Sequence, residues 1–296
     1  MIPPAEPLTV PPTLELEKNN LLVLLDQKPL KPRAIRDYMA DLQLKLKTLF
    51  EQGETATSIS RYRCQLVDTV LTTLWQQTIE LNSLSLLAVG GYGRAELQPG
   101  SDIDLLIIAE KESQLKRADE QIRRFITLLW DIGLEVGQSV RTLAQCAAEA
   151  RKDITVITAM MEARDLCGKP QLETLATKLS PRRIWPSRKF FLAKLEEQRQ
   201  RHREFGESGF LLEPNIKESP GGLRDLQTIL WVAMRHYRVR SLDELVDLGF
   251  LHQGELETLL SSRELLWWIR TGLHVIYDRK DDQLLFDQQR ELAAMA

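Results

Sequence analysis

Two acidic residues at alternate positions, Asp102 and Asp104, stand at the head of an apolar run ending at Ala109, just after the turn Gln98-Pro99-Gly100-Ser101. Short apolar runs bounded by glycine and proline read as buried strands, and residues two apart on a strand share a face. The two carboxylates therefore project together, while Ile103, Leu105 and Ile107 project the other way. Side-by-side carboxylates repel and disfavour each other's ionisation unless a cation stands between them. A hard divalent ion such as Mg2+ takes oxygen ligands of this kind. Upstream, the apolar run Leu84 to Val89 breaks into Gly90-Gly91-Tyr92-Gly93-Arg94. Glycines at such a break let the backbone approach a ligand closely. Glycines first and paired acids second, on neighbouring strands with Ser101 immediately before the acids, make the layout of a metal-dependent phosphate site. Asp102 and Asp104 are its metal ligands.

Two rival phosphate-binding patterns fail on the same residues. No G-x-x-x-x-G-K-[ST] occurs, which excludes a P-loop. Gly91-Tyr92-Gly93 begins a G-x-G-x-x-G fingerprint, but Glu96 stands where the third glycine belongs. The next strand also starts too soon after Gly93 for a parallel crossover, which needs about a dozen residues. An antiparallel or mixed pairing of the two strands is predicted instead.

The elements that hold these strands follow from periodicity. Ile35, Met39, Leu42, Leu46 and Leu49 recur at helical spacing, and Gly53 ends that helix. A second helix spans about Arg61 to Leu81, and a third about Gln114 to Asp131. A third strand, Leu134 to Thr142, places Glu135 and Gly137 on one face. From Thr142 onward the pattern reads as wholly helical, with Thr142, Asp153 and Ser187 as N-caps. The basic run Arg199 to Arg203, with His202 inside it, reads as a solvated face. Leu265 to Ile269 and His274 read as core. In the loop Glu213 to Gly222, a proline and two glycines precede a helix from Leu223 to His236. Helix N-termini attract anions, so Lys217 and Arg224 are candidates to hold a triphosphate or to fix a domain interface. The alternative is a structural loop in which Arg224 and Asp225 neutralise each other. Residues 1 to 12 are proline-rich and read as unstructured.

The string G-G-x-G-R-x-E-L-x-P-x-S-D-I-D-L-L resembles the signature of the polymerase-beta-type nucleotidyltransferase superfamily. It is most similar to the form in bacterial protein-PII uridylyltransferases, the bifunctional uridylyltransferase/uridylyl-removing enzymes. Glu213 to Asp225 and Trp130 to Thr142 supply two further matching blocks, and the resemblance runs from about residue 60 to the end. Ala95 departs from it, standing where the family usually carries glycine. The resemblance implies an α+β fold: a small mixed-sheet nucleotidyltransferase domain (60–165) followed by an all-α substrate- and nucleotide-binding domain (166–296), after a tail and helical arm (1–59). It implies transfer of UMP from UTP to a tyrosine of the PII protein with Mg2+ as cofactor, Asp102 and Asp104 being catalytic. Gly90, Gly91, Gly93, Arg94 and Ser101 would bind the nucleotide, with Lys217 and Arg224. A third carboxylate usually comes from the third strand in such sites. Glu135 is the only acid there and is the candidate, with Asp131 behind it; otherwise Glu135 forms a strand-end salt bridge, for instance with Arg141.

Full-length members also carry a hydrolytic domain with a His-Asp metal motif and regulatory domains. None of His202, His236, His252 and His274 precedes an aspartate, so uridylyl removal and glutamine sensing are expected to be absent and the chain to be a fragment or truncated product. Two other functions fit the residues: a nucleotide-binding regulatory module without turnover, and a transferase with another acceptor.

Composition sets bounds. The net charge is −3, from 39 basic and 42 acidic residues, which gives no footprint for nucleic acid. Cys64, Cys146 and Cys167 are widely spaced, suiting small buried residues in a reducing cytoplasm rather than a disulfide framework or zinc site. No apolar run approaches a membrane span, so no membrane association is expected.

Overall fold

The computed structural model describes residues 12–180, 182–239, 241–277 and 280–295. The expected proline-rich tail thus lies almost wholly outside the described residues.

Three helices, α1 (Pro12–Leu25), α2 (Pro32–Glu51) and α3 (Ala56–Thr78), lead into β1 (Leu84–Ala88) and the one-turn helix α4 (Gly90–Gly93). Next come β2 (Ile103–Ala109), α5 (Glu112–Asp131) and β3 (Val136–Thr142), then α6 (Leu143–Lys152), α7 (Ile154–Met161) and β4 (Arg164–Gly168). The remainder is helical: α8 (Leu172–Lys178), α9 (Ser187–Glu204), α10 (Leu223–Tyr237), α11 (Asp243–Asp247), α12 (Gln253–Ile276) and α13 (Phe286–Ala293). The fold is α+β, a small mixed sheet with helices around it.

The sheet order is β3-β2-β1-β4. β1 and β2 pair antiparallel, Ala88 opposite Leu105, and the ladder continues one bond further, Val89 N–H donating to the Asp104 carbonyl at 3.0 Å. That bond sets the glycine turn beside the acids. β2 and β3 run parallel, with Asp104 opposite Gly137, because α5 carries the chain back across the sheet. β4 corrects the expectation of wholly helical structure after Thr142: it pairs antiparallel with β1. Its sequence, Arg-Asp-Leu-Cys-Gly, is short and only half-buried, so it lacks the apolar signature of a strand. It also carries the sheet past the expected domain boundary at residue 165.

β1 is buried along its whole length, because apolar layers cover both faces of the sheet. Leu86, Ala88, Leu105 and Ile107 pack with α3 and α5. Leu87, Leu106 and Ile108 pack with α6 and α7 and, from the helical part, Phe190 and Trp231. Strands buried on both faces read as continuous apolar runs, as these do. Thr142 caps α6 by accepting from Gln145 N–H (3.2 Å), and the Gln145 side chain returns the bond to Thr142 N–H (2.7 Å). Asp153 caps α7. Ser187 is not a cap but the first helical residue of α9, Pro186 standing at the N-cap. No described helix is long and apolar enough to cross a membrane.

Candidate active site

The site is built at the open ends of β1 and β2. Asp102, just before β2, and Asp104, the one exposed residue within it, are both solvent-facing, and both line one cavity of about 540 Å3 together with Gly90, Gly91 and Ser101. Burial first, and then the neighbouring Asp102 charge, hold the Asp104 carboxyl above the usual carboxylate range, with Lys217 pulling the other way. The like charges are thus close enough to be felt, as their spacing predicts.

Glycines shape the ground around Asp104. Gly90 has a φ of +58° and a methyl there would stand 3.3 Å from Asp104 Oδ2, while one on Gly137 would stand 2.7 Å from Oδ1. Gly93 serves packing: an added Cβ would lie 2.2 Å from the Glu162 carbonyl oxygen, and its N–H is already taken by the Val89 carbonyl at 3.0 Å. Of the three predicted phosphate-binding glycines, Gly93 therefore offers shape and no donor.

Arg94 lines the cavity but is committed elsewhere. It donates to Glu96 at 2.6 Å and to Glu162 at 2.5 Å. Burial would lower its pKa, yet the Glu162 and Glu96 charges outweigh that and raise it. The same Glu162 Oε1 accepts from the Trp231 indole N–H, so Arg94 ties the glycine turn to α10. Behind the turn, Tyr92 donates to Asp68 at 2.5 Å, and Arg164 pairs with the same carboxylate at 2.8 Å. Arg63 holds the turn before the acids by donating to the Gln98 carbonyl at 2.6 Å and the Ser101 carbonyl at 3.3 Å.

Lys217 and Arg224 line the same cavity as the acids, and the Lys217 charge acts on Asp104. The Lys217 ammonium is pushed down by burial first, then by Arg270 and Arg224, against Glu218 and Asp282. Arg224 binds Gln227 at 2.7 Å and Glu218 at 3.3 Å, not Asp225 as the local-neutralisation reading had it. Asp225 instead accepts from Arg201 (2.5 Å) and Gln198 (2.7 Å). The expected anion-binding start of α10 is closed by its own loop: Leu223 N–H donates to the Ile216 carbonyl at 3.0 Å and Arg224 N–H to the Lys217 carbonyl at 2.9 Å. What the block contributes is side-chain charge.

Glu135 does not line the cavity. Its carboxylate pairs with Lys280, and its strand neighbour Gly137 occupies the position facing Asp104. No group of three His, Cys, Asp or Glu residues able to hold a metal occurs among the described residues. The donor set is therefore two carboxylates. That fits Mg2+, which is commonly bound through one or two carboxylates plus substrate phosphates.

Several lining residues gave no sequence signal. Lys194 is only 1% exposed, pairs with Glu197 at 2.7 Å and sits 4.2 Å over the Trp231 ring. Arg201, expected on a solvated face, is buried and lines the cavity, and the neighbouring His202 ring lies 3.1 Å from Asp225. His274 is buried as expected but polar in role, with Nδ1 against the Pro99 carbonyl and Nε2 2.8 Å from Asp282. Lys194 and Arg201 read as ordinary helix residues until the fold brings them to the cavity.

Comparison with known proteins points to a nucleotidyltransferase. Residues 40–155 match the family model "Putative nucleotidyltransferase DUF294", and residues 189–296 match "GlnD PII-uridylyltransferase". A bifunctional uridylyltransferase/uridylyl-removing enzyme of Stutzerimonas stutzeri is 46% identical over 90% of this chain and 30% of its own length. One of Pseudomonas putida is 47% identical over 83% of this chain and 28% of its own length. One of Azotobacter vinelandii is 47% identical over 84% of this chain and 28% of its own. The chain thus spans about three tenths of the length of the curated relatives it matches. With the sheet, the glycine turn and the paired acids in place, the chain is a homologue, over nine tenths of its own length, of part of the bifunctional uridylyltransferase/uridylyl-removing enzymes, and it carries a nucleotidyltransferase match within that part.

Proposed function

We propose that the chain is a Mg2+-dependent nucleotidyltransferase that moves UMP from UTP to a tyrosine hydroxyl of the PII signalling protein and releases pyrophosphate. The observation that supports this reading is that Asp102 and Asp104 line one cavity with Gly90, Gly91 and Lys217. The names of the relatives support uridylyl transfer, and the matched family's description supports PII as acceptor.

Asp102 and Asp104 would hold the cation. When bound, Mg2+ supplies positive charge to the triphosphate and the acceptor oxygen. Gly90 and Gly91, lacking side chains, let the phosphates lie against the backbone, and Ser101 adds a hydroxyl at the same edge. Lys217 and Arg224 offset the charge of the triphosphate and of the departing pyrophosphate. The tyrosine oxygen attacks the α-phosphorus, the bond to the β-phosphate oxygen breaks, and the phenolic proton leaves to solvent. Positioning and electrostatics supply the catalysis. Arg94, held by Glu96 and Glu162, is a positioning residue for the turn.

The test is incubation with Mg2+, labelled UTP and PII, beside a panel of the four nucleoside triphosphates. Label on PII that disappears in Asp102→Asn and Asp104→Asn is expected; undiminished label in both variants overturns the reading. One observation favours a second reading, a nucleotide-binding module without turnover: Glu135 does not line the cavity with the two acids and its carboxylate is taken by Lys280. Nucleotide binding with no transfer to PII would establish it.

A further inference from the structure

The turn Gln98-Pro99-Gly100-Ser101, which leads directly into Asp102, is held from two sides. From α3, Arg63 donates to its Gln98 and Ser101 carbonyls. From α12, the fully buried Thr271 donates through Oγ1 to the Gln98 side-chain oxygen at 2.6 Å, and His274 sets Nδ1 against the Pro99 carbonyl. The His274 ring is 3% exposed and packs on Gly100, where an added Cβ would stand 3.2 Å from Nδ1.

The other ring nitrogen meets a carboxylate. His274 Nε2 lies 2.8 Å from Asp282 Oδ1, which also accepts from Arg270 Nε at 2.8 Å. Burial would raise the Asp282 carboxyl, but His274 and Arg270 hold it well below the usual range, so it is ionised. A carbonyl oxygen and an ionised carboxylate only accept. The ring therefore donates from both nitrogens, as an imidazolium does. The Asp282 carbonyl in turn accepts from Ile216 N–H at 2.8 Å, and Ile216 precedes Lys217. One run of hydrogen-bonded groups thus links the loop that carries Lys217, through Asp282 and His274, to the turn that leads into Asp102.

We propose that His274, assisted by Thr271, is a positioning residue for Asp102, holding the turn by the Pro99 carbonyl so that the carboxylate stays in the cavity. This rests on the reading of Asp102 and Asp104 as Mg2+ ligands and adds the side chain that keeps the first of them in place. A displacement of about 1 Å at such a site can cost on the order of a hundredfold in rate, so the tie is expected to be felt.

Two amide side chains separate the two ring nitrogens. The asparagine Nδ2 falls near the place of Nδ1, so His274→Asn keeps a donor for Pro99 and gives up Asp282. The glutamine Nε2 falls near the place of the ring Nε2, so His274→Gln keeps Asp282 and gives up Pro99. The measurement is titration of the intact chain with Mn2+, a paramagnetic stand-in for Mg2+, followed by electron paramagnetic resonance. Transfer of label from UTP to PII and thermal melting are recorded beside it. His274→Gln is expected to weaken Mn2+ binding and to lower kcat, each at least tenfold, while His274→Asn stays within threefold of the wild type in both. Equal losses in the two variants, which mark a merely structural histidine, or wild-type values in His274→Gln overturn the proposal. Thr271→Val removes the bond to Gln98 with little change of shape and provides a second arm should a histidine variant not fold. It is expected to weaken Mn2+ at least threefold, and wild-type affinity there overturns the proposal. Mn2+ binding that Asp102→Asn and Asp104→Asn leave unchanged would sink the metal-ligand reading as well, which tells the two failures apart.

Discussion

Asp104 of β2 stands directly opposite Gly137 of β3, and the space where Gly137 would carry a side chain is filled by the Asp104 carboxylate, 2.7 Å from the position of the missing Cβ. The bare strand position is part of how the acid is aimed. Gly137→Ala is expected to push Asp104 out of place and lower transferase activity on the order of a hundredfold, with little loss of stability because the position is exposed. Steady-state kinetics beside thermal melting separates the two. Gly93→Ala should do the reverse and destabilise by about 1–3 kcal/mol through overpacking, since its methyl would strike backbone of Glu162 that cannot give way.

The acids themselves predict a dependence on pH. Burial and Asp102 hold the Asp104 carboxyl above its ordinary value, so the folded chain binds this proton more tightly than the unfolded chain does. Stability must then fall as pH rises from the ordinary carboxylate range through the raised value. Without divalent cation, the wild type should therefore lose thermal stability relative to Asp104→Asn between acidic and neutral pH, and Mg2+ should restore it. Parallel melting curves across that range would refute this. Activity in Asp102→Asn and Asp104→Asn should drop by about a hundredfold or more, the scale expected when a group worth several kcal/mol of charge stabilisation is lost.

Asp282 predicts the opposite sign. Burial would raise its carboxyl, but hydrogen bonds from His274 and Arg270 overcome that and hold it well below the usual range. Its contribution to stability is present above the ordinary carboxylate range and lost as pH falls through the depressed value. Asp282→Asn should flatten the acid side of the stability profile, measured as urea midpoint against pH.

The Glu135–Lys280 pair yields a graded test of the third carboxylate. Both side chains are more than half exposed, and such pairs contribute about 0–1 kcal/mol. Glu135→Gln should therefore change transferase activity only a few-fold, far less than neutralising Asp104. A loss comparable to Asp104→Asn would return Glu135 to the catalytic set.

Ala95 sits at a φ of +60°, a left-handed conformation that costs a residue with a Cβ roughly 1–2 kcal/mol. Ala95→Gly is expected to be neutral to stabilising by up to about 1 kcal/mol, part of the relief being offset by the freer unfolded chain. Ala95→Val should destabilise by more than Ala95→Gly stabilises, because a β-branched residue is poorly tolerated there. Denaturant titration of the three proteins measures this.

What could be read from the chain alone was local in sequence. The glycine turn, the acids and the strands that carry them all lie between Leu84 and Ala109, and strands buried on both faces advertise themselves as apolar runs. Ala95 could be singled out because glycine was expected there, and its dihedral shows why. The opposite wall was not legible. Glu162, the pair Lys194 and Arg201 on α9, and Trp231 come from three places along the chain, and a buried lysine has the same letter as a solvated one. β4 escaped because it is short and polar, its pairing made by the backbone against β1 rather than by an apolar face. The start of α10 misled because its glycines, which suggest an open cradle for an anion, in fact let the loop fold back and consume its own amide hydrogens.

The single oxygen of Glu162 that receives both Arg94 and Trp231 joins the glycine turn to the helical half of the molecule. Whatever enters between the halves must either keep that junction intact, and so move turn and helix as one body, or sever two charge-assisted bonds at once. Displacing the turn from the helix would break both bonds together.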